Sequence, residues 1–276
     1  MSRPVVAITG GGSGLGEGMA LLFAESGYDI AICGRRIEKL EQVAEKAKVL
    51  GAAVYIQSVD VRNYESVDSW LKKAREKFGQ LDALICNAAG NFIAPSIELS
   101  PRAWKAVTEI NMDGTFFASQ AFGKIQIEDK RPGSITSIIA AYAQSGQPGT
   151  IHSAASKAGV LAIMRTLAAE WGRFGIRCNS ISPGPIHTEG TDKNLWSFPG
   201  AEKRMRSTIP LGRIGEVRDI AQAALFLASP QASWISGADL DVDGAQWLNG
   251  GVFGWDPNDL PGPMLALMKA MRGSKT

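Results

Sequence analysis

The sequence has few of the residues that most often bind transition metals. Among its 276 residues there are three cysteines and two histidines. Cys33, Cys86 and Cys178 are far apart, and each lies in or beside an apolar, strand-like run. Because metal ligands occur at short, characteristic spacings, we expect buried free thiols and no metal site.

Long apolar runs and blocks of like charge are also missing. The formal net charge is +2, so the charge balance does not indicate nucleic-acid binding, although it is compatible with a small anionic ligand. No apolar run approaches the roughly 20 residues of a membrane span. A first strand begins by Pro4, which leaves no room for a signal peptide, and the C-terminal Ser-Lys-Thr is not the peroxisomal Ser-Lys-Leu. We therefore expect a cytoplasmic protein without a membrane or nucleic-acid partner.

What the sequence does contain is a regular alternation of elements. Short β-rich runs alternate with longer stretches of helical periodicity; the runs are PVVAIT, YDIAIC, AAVYIQSV, LDALIC, GSITSII, IRCNSIS and ADLDVD. This order predicts an α/β fold, a single Rossmann-type domain in which helices cover both faces of a doubly wound parallel sheet of about seven strands. We place the whole chain in this domain, with a substrate-loop insertion at about 188–209 and a C-terminal tail at about 248–276.

A glycine-rich turn follows the first strand and precedes an apolar helical stretch. Glycine lets the backbone turn tightly and lets a pyrophosphate approach the amides at a helix N-terminus, where the helix dipole favours negative charge. Glycines alone would fit an ordinary turn, but the strand before and the helix after favour a dinucleotide site. The residues assigned to this site are Thr9, Gly10, Gly12, Ser13, Gly14, Leu15 and Gly16.

The second strand ends in Gly34-Arg35-Arg36 rather than in an acidic residue. An acid there would hydrogen-bond the adenosine ribose of NAD, whereas guanidinium groups can bind a 2′-phosphate bidentately. The pair therefore favours NADPH; the alternative is that both arginines only solvate the start of the next helix. Asp60, followed by Val61, lies where it could be the N-cap of the helix after it.

Polar residues gather around one lysine. Ser153 and Lys157 are one helical turn apart, so their side chains point the same way if Ser153 begins the apolar helix there. Tyr142 precedes them on a loop and can reach the same space. Asn91 follows Asn87-Ala88-Ala89-Gly90 at the carboxyl end of the fourth strand, where its amide faces either the ligand crevice or solvent. We expect the chemistry at this cluster.

These motifs resemble the short-chain dehydrogenase/reductase superfamily. There the position four before the lysine is normally the catalytic tyrosine, and the position seventeen before it a catalytic serine; this chain has Ser153 and Ala140 instead. The set Asn91, Tyr142, Ser153 and Lys157 is similar to the 2,4-dienoyl-CoA reductases of the mitochondrial type. In these, a tyrosine fifteen before the lysine and an asparagine after the N-A-A-G motif bind the thioester carbonyl.

The resemblance, which extends to about Trp247, implies further cofactor contacts. Lys157 would hold the nicotinamide ribose, and a Pro-Gly motif, which also fits an ordinary turn, would meet the nicotinamide amide and a phosphate. It also implies an acyl-CoA substrate and a homotetramer, whose helices VTEINMDGTFFASQAFGKI and AGVLAIMRTLAAEW either pair between subunits or face only their own sheet. Asp60 would contact the adenine, as the alternative to an N-cap. The implied contacts are Asp60, Val61, Asn87, Ala88, Ala89, Gly90, Lys157, Pro183, Gly184, Ile186 and Thr188.

The implied function is NADPH-dependent reduction of 2,4-dienoyl-CoA thioesters to enoyl-CoA in the β-oxidation of polyunsaturated fatty acids. Two alternatives stay open: another short-chain reductase, of ketones or enoyl thioesters, with Tyr142 as acid, and an NADP-binding protein without catalysis. Asn111 is expected to serve the structure, and His152 and His187 to be capping or surface residues. The following cations either receive CoA phosphates or form a solvated face: Lys193, Lys203, Arg204 and Arg206.

Replacing Arg35 by Ala is expected to weaken NADPH binding and to leave NADH binding unchanged. The reason is that a guanidinium at the end of the second strand would contact the 2′-phosphate, which NADH lacks. Titration of both cofactors against the parent and the variant measures this. An equal loss for both would show that Arg35 supports the fold or the adenine in general.

Overall fold

Seven strands form one parallel sheet in the computed structural model, which describes residues 3–188 and 200–249. The strands are β1 (Val5–Thr9), β2 (Asp29–Gly34), β3 (Val54–Ser58), β4 (Ala83–Cys86), β5 (Gly133–Ile138), β6 (Ile176–Pro183) and, counting two short strands before it, β9 (Asp239–Val242). Their order is β3-β2-β1-β4-β5-β6-β9. Every pairing is parallel, so the predicted sheet is confirmed.

Helices connect the strands. They are α1 (Gly14–Glu25), α2 (Ile37–Val49), α3 (Tyr64–Phe78), α4 (Pro101–Thr108), α5 (Gly114–Asp129), α6 (Ile151–Trp171), α7 (Ala201–Arg206) and α8 (Val217–Ala228). A π-helical turn, Glu109–Asp113, joins α4 to α5. The short strands β7 (Ile186–His187) and β8 (Gly215–Glu216) pair in parallel apart from the main sheet. No helix in the described ranges is long and apolar enough to cross a bilayer.

The sheet separates two apolar cores. Successive side chains of a strand point to opposite faces. In β1, Val5 and Ala7 pack into the core that also holds residues of α3, α5 and α6, whereas Val6 and Ile8 pack into the core with α1, α2 and α8. Strands covered on both faces have nearly continuous apolar sequences, and this made the central strands easy to predict. The doubly wound arrangement is thus the one predicted.

The strand order reverses between β1 and β4, which are neighbours in the sheet. Doubly wound sheets bind ligands outside the carboxyl ends of the strands at such a point. Here Asn87, directly after β4, donates its Nδ2 to the carbonyl oxygens of Thr9 at 3.1 Å and Gly10 at 3.2 Å. The Thr9 hydroxyl in turn accepts hydrogen bonds from the amides of Asn87 and Ala88, both at 3.0 Å. These bonds fix the two sides of the crevice to each other.

Helix α6 begins at Ile151, two residues before Ser153. Ser153 and Lys157 therefore lie within the helix, one turn apart and on one face, as the spacing predicted. The structure describes only part of the predicted loop insertion at 188–209 and of the predicted C-terminal tail at 248–276. Thr188 and residues 200–209 of the loop are described, as are Leu248 and Asn249 of the tail, and the remainder of both lies outside the described residues.

Gly16 allows α1 to approach the glycine turn closely, because a Cβ built on it would lie 2.1 Å from the Gly10 carbonyl oxygen. We expect Gly16→Ala to lower the free energy of unfolding by about 1 to 3 kcal/mol through this overlap. Gly172→Ala is the matched control, since a Cβ there meets no atom within 4 Å. Urea unfolding measures both variants. Equal stabilities would contradict the tight contact between the helix and the turn.

Candidate active site

A cavity of about 840 Å³ opens at the carboxyl ends of the strands, where β1 and β4 adjoin. All four residues predicted to be catalytic line it: Asn91, Tyr142, Ser153 and Lys157. So do most of the residues predicted to bind the cofactor: Gly10, Gly12, Ser13, Gly14, Leu15, Arg35, Arg36, Asp60, Val61, Asn87, Ala88, Ala89, Gly90, Lys157, Pro183, Gly184, Ile186 and Thr188. Thr9 and Gly16 do not line the cavity. Thr9 bonds the amides of Asn87 and Ala88, and Gly16 packs against Gly10, so both support residues that do line it.

The predicted catalytic side chains form a hydrogen-bonded chain. Asn91 Nδ2 donates to Tyr142 Oη at 3.3 Å, and Tyr142 Oη lies 3.1 Å from Ser153 Oγ. Tyr142 is in a short 3₁₀ helix, Ala141–Ala143, which begins three residues after the end of β5. Ser153 is in the first turn of α6. The loop phenol therefore reaches the helix position four before the lysine. This is the space predicted from the spacing of Tyr142 and Ser153.

Lys157 lies beneath this chain and is 6 % exposed. Its ammonium donates to the Ile138 carbonyl oxygen at 2.6 Å, at the carboxyl end of β5. Burial lowers the pKa of Lys157 to about 8, although the Cys86 thiol opposes this shift. Few counter-charges surround this buried lysine, so its protonated form makes the cavity electropositive. It also loses its proton at a lower pH than an exposed lysine does.

Asn111 supports the wall next to Asn91. It lies in the π turn and is fully buried. Its Oδ1 accepts from the Gly90 amide at 2.9 Å, and its Nδ2 donates to the Gly90 carbonyl at 3.1 Å and to Ser156 Oγ at 3.1 Å. The predicted structural role, with the amide bonded to backbone, is confirmed. Through Gly90 it fixes the residue directly before Asn91.

The glycine turn is shaped to receive an anion. Gly10 and Gly14 have φ of 67° and 55°, values that residues other than glycine rarely adopt. Ser13 is the N-cap of α1, yet its side chain makes no capping hydrogen bond. The first amides of α1 are thus left without a side-chain acceptor at the cavity wall, which suits a phosphate group.

Cations line the cavity next to this turn. Arg36 Nη2 donates to Ser13 Oγ at 3.4 Å, and Arg35 lies beside it at the end of β2. Lys39, on the first turn of α2, lines the same wall and was missed in the sequence. It follows Arg36, the N-cap of α2, by three residues, and that one-turn spacing was the available signal. Three cations thus line this part of the cavity, where they could share the charge of a phosphate group.

Asp60 is ion-paired rather than free. Its carboxylate accepts from Arg62, with Nη2 at 2.5 Å and Nε at 3.0 Å. The Arg62 guanidinium lowers the pKa of Asp60, so the residue is ionised at the cavity wall. The alternative reading of Asp60 as a helix N-cap is wrong. Asn63 caps α3 instead, accepting from the Ser66 amide at 2.7 Å.

Several cavity residues carry no sequence signal, because they come from distant segments. Gln246 Nε2 donates to Thr208 Oγ1 at 2.8 Å and lies 3.2 Å from Met205 Sδ, so α7 is tied to the chain after β9. Met205 and Gln246 both line the cavity. Lys203, Arg204 and Arg206 are exposed on α7 and do not line it. Lys193 lies outside the described residues.

The expected role of His152 is wrong. Instead of capping or facing solvent, it is 0 % exposed and its ring packs edge-on against Phe92. His187 is half-buried in β7. The three cysteines are buried free thiols, as predicted, and burial raises the pKa of each. Within the described residues no cluster of histidine, cysteine and acidic side chains could hold a metal.

The strand-switch crevice, its glycine turn and its buried lysine define a dinucleotide-binding oxidoreductase of Rossmann type. Residues 10–245 match the model of a family described as enoyl-(acyl carrier protein) reductase. The chain belongs to this family, within the short-chain dehydrogenase/reductase superfamily, whose members use a nicotinamide cofactor.

Known proteins are similar along most of the chain. A probable 2,4-dienoyl-CoA reductase of Bacillus subtilis, named as (2E)-enoyl-CoA-producing, is 45% identical over 250 residues, 90% of this chain and 98% of the relative. A peroxisomal 2,4-dienoyl-CoA reductase of Saccharomyces cerevisiae, named as (3E)-enoyl-CoA-producing, is 40% identical over 255 residues, 91% and 86% of the two chains. The crystal structure of a short chain dehydrogenase from Bacillus anthracis is 44% identical with a TM-score of 0.81, covering 88% of this chain and 96% of that one.

Buried Lys157 predicts a distinctive dependence of stability on pH. Its pKa is about 8 in the folded chain and near 10.5 when exposed on unfolding. Between these values the folded state has released a proton that the unfolded state still binds, so stability rises with pH. Relative to Lys157→Met, the parent is expected to gain about 3 kcal/mol between pH 8 and 10.5.

The measurement is urea unfolding of parent and Lys157→Met across this pH range, without cofactor. Groups that titrate in both proteins cancel in the difference. Lys105→Met, at an exposed lysine of α4, is the control and is expected to follow the parent at every pH. Parallel curves for parent and Lys157→Met would contradict the buried, weakly compensated charge.

Proposed function

We propose that this chain is an NADPH-dependent 2,4-dienoyl-CoA reductase that reduces dienoyl thioesters to enoyl-CoA in the β-oxidation of polyunsaturated fatty acids. The observation that carries this proposal is the pairing of two neutral donors, Asn91 and Tyr142, 3.3 Å apart on the cavity wall. Two donors this close together could both reach a single substrate oxygen on which negative charge develops. The names of the relatives from B. subtilis and S. cerevisiae support the same substrate class.

The described residues fit NADPH. The left-handed glycines and the uncapped start of α1 would receive the pyrophosphate, and Arg35, Arg36 and Lys39 the 2′-phosphate. Lys157 would hold the nicotinamide ribose. When bound, the reduced nicotinamide supplies the hydride that the substrate accepts at C5.

Tyr142 and Asn91 would act on the thioester. As the conjugated system gains electrons, a dienolate forms and negative charge grows on the thioester oxygen. Donors already oriented towards that oxygen lower the barrier, and one well-placed donor commonly contributes about 3 kcal/mol. Ser153 Oγ, 3.1 Å from Tyr142 Oη, holds the phenol in place, and buried Lys157 adds positive charge to the field.

The proton that completes the reaction would come from water. Asp60 is the one carboxyl among the described residues of the cavity wall, and its ion pair with Arg62 keeps it ionised. No histidine of the described chain lines the cavity. A carboxylate held in this way cannot donate a proton near neutral pH, so Tyr142 and Asn91 stabilise charge while solvent protonates C2 or C4.

The proposal extends to an acyl-CoA partner and a homotetramer. Phe116 and Ile127 on α5 are 36% and 37% exposed, and Ile151 on α6 is 46% exposed, so both helices present apolar side chains that another subunit could cover. The molar mass from light scattering tests the assembly. The cytoplasmic location stays a prediction, because relatives with peroxisomal names exist.

One assay separates this function from its alternatives. NADPH oxidation is followed by absorbance with 2,4-hexadienoyl-CoA, an enoyl-CoA and a 3-oxoacyl-CoA in turn. We expect the dienoyl thioester to react fastest. Faster reduction of the 3-oxoacyl or enoyl thioester would assign the chain to another reductase activity, and no oxidation with any of them would indicate a binding protein without catalysis.

Tyr142→Phe removes the phenolic donor while keeping the shape of the ring. We expect kcat to fall by roughly 10² or more with little change in KM, because the hydrogen bond strengthens as charge develops. Asn91→Ala is expected to do likewise, and the double variant to lose less than the two singles combined, since both serve one oxygen.

Ser153→Ala is the matched comparison and is expected to cost less than either, because Ser153 positions the phenol without contacting substrate. Single-turnover rates of NADPH oxidation with 2,4-hexadienoyl-CoA measure all four variants. A Tyr142→Phe protein as fast as the parent would refute the assigned role.

A further inference from the structure

His152 is buried in a way that the proposed chemistry does not explain. Its side chain is 0 % exposed, and neither ring nitrogen makes a hydrogen bond of good geometry to another described residue, although the Thr150 backbone lies close to the ring. Burying an imidazole without partners is unfavourable, so a compensating contact is expected. That contact is with Phe92, whose ring centroid lies 4.3 Å from that of His152 at an interplanar angle of 67°.

Each ring belongs to a residue adjacent to a member of the hydrogen-bonded chain Asn91, Tyr142 and Ser153. Phe92 follows Asn91, and its amide donates to Asn91 Oδ1 at 2.9 Å. His152 precedes Ser153, whose hydroxyl bonds Tyr142. Together with the Asn91–Tyr142 hydrogen bond, the ring contact closes a circuit that runs Asn91, Tyr142, Ser153, His152, Phe92 and back.

The turn at Asn91 needs such support. Asn91 and Phe92 are exposed, and Ile93 is 73% exposed, so little packing holds this segment. Backbone ties exist on both sides of it: Asn111 holds Gly90, and the Ala94 amide donates to the Gly149 carbonyl at 2.9 Å. Between these ties the Phe92 ring, packed on His152, sets where the Asn91 amide points.

An acid or base role for His152 does not fit the geometry. The residue is not part of the cavity wall, so its nitrogens would not reach a substrate there. Burial also lowers the pKa of His152, against a smaller opposing effect of the Thr150 backbone, so the neutral ring is favoured and is suited to packing against an aromatic partner.

We propose that His152 is a positioning residue whose ring, packed on Phe92, holds Asn91 beside Tyr142. The kinetic consequence rests on the proposed function, whereas the geometric consequence does not. An aromatic ring is what the position requires, and the imidazole nitrogens are dispensable.

The test compares His152→Ala with His152→Phe. The alanine variant opens the circuit, and kcat with 2,4-hexadienoyl-CoA is expected to fall by about tenfold to a hundredfold, as for other small misplacements of an active-site donor. Because the cofactor wall is not involved, the NADPH dissociation constant stays at the parent value. The phenylalanine variant keeps the ring contact and is expected to restore kcat to within about threefold of the parent.

Phe92→Ala tests the same contact from the exposed side, where truncation does not open the core. It is expected to match His152→Ala in kcat, and the double variant to be no slower than either single. This variant keeps the inference testable if His152→Ala does not fold.

Crystal structures of the parent and Phe92→Ala without substrate provide a readout that does not depend on activity. We expect the hydrogen bond from Asn91 Nδ2 to Tyr142 Oη, 3.3 Å long in the parent, to be broken in the variant. Parent kcat in both alanine variants with that distance retained would overturn the inference. So would a His152→Phe protein as slow as His152→Ala, which would show that the imidazole nitrogens act. A parent inactive on dienoyl thioesters would refute the proposed function alone, and the distance would then decide the inference.

Discussion

The hydrogen bond between Tyr142 Oη and Ser153 Oγ, 3.1 Å long, is the interaction on which the site depends. It joins the loop after β5 to the first turn of α6. Through it the phenol is held at the helix position that normally carries the tyrosine of the superfamily. Asn91 can then donate to the same phenol oxygen from the loop after β4. Under the proposed function the phenol donor is relocated to this loop rather than lost, and it shares the cavity with Asn91 and the buried Lys157.

The parallel sheet makes this relocation possible. The carboxyl ends of β4, β5 and β6 lie side by side, so loops that are distant in sequence end at one edge. β1 and β2 bring the glycine turn and the cations to the other half of the same cavity. Lys157 lies where the two halves meet and is anchored to the end of β5 by the Ile138 carbonyl. The Asn91 and Tyr142 side chains, which come from two loops, thus lie beside a lysine anchored to a strand that is buried between both cores.

The sequence predicted what depends on local pattern and on shared motifs. The central strands were predicted because both of their faces are covered, which makes their sequences continuously apolar. Helical spacing and the family motif predicted Tyr142, Ser153 and Lys157. Asp60 was open between two roles because an acid and an asparagine lie three residues apart before α3, and packing decides which one caps it. His152 was misjudged because a polar residue at a helix start usually caps or faces solvent, while here Phe92 covers it. Met205 and Gln246 meet across segments with no shared period, so only the folded chain brings them to the cavity.

The central claim is that Tyr142 and Asn91 donate to the thioester oxygen of the substrate. The most direct measurement is the carbonyl stretching band of carbonyl-labelled 2,4-hexadienoyl-CoA, recorded by infrared difference spectroscopy on the protein with oxidised cofactor. Hydrogen bonds to a carbonyl lower its stretching frequency. The account predicts a band below that of the thioester in water for the parent, with part of this shift lost in Tyr142→Phe and part in Asn91→Ala. A band that neither replacement moves would contradict it.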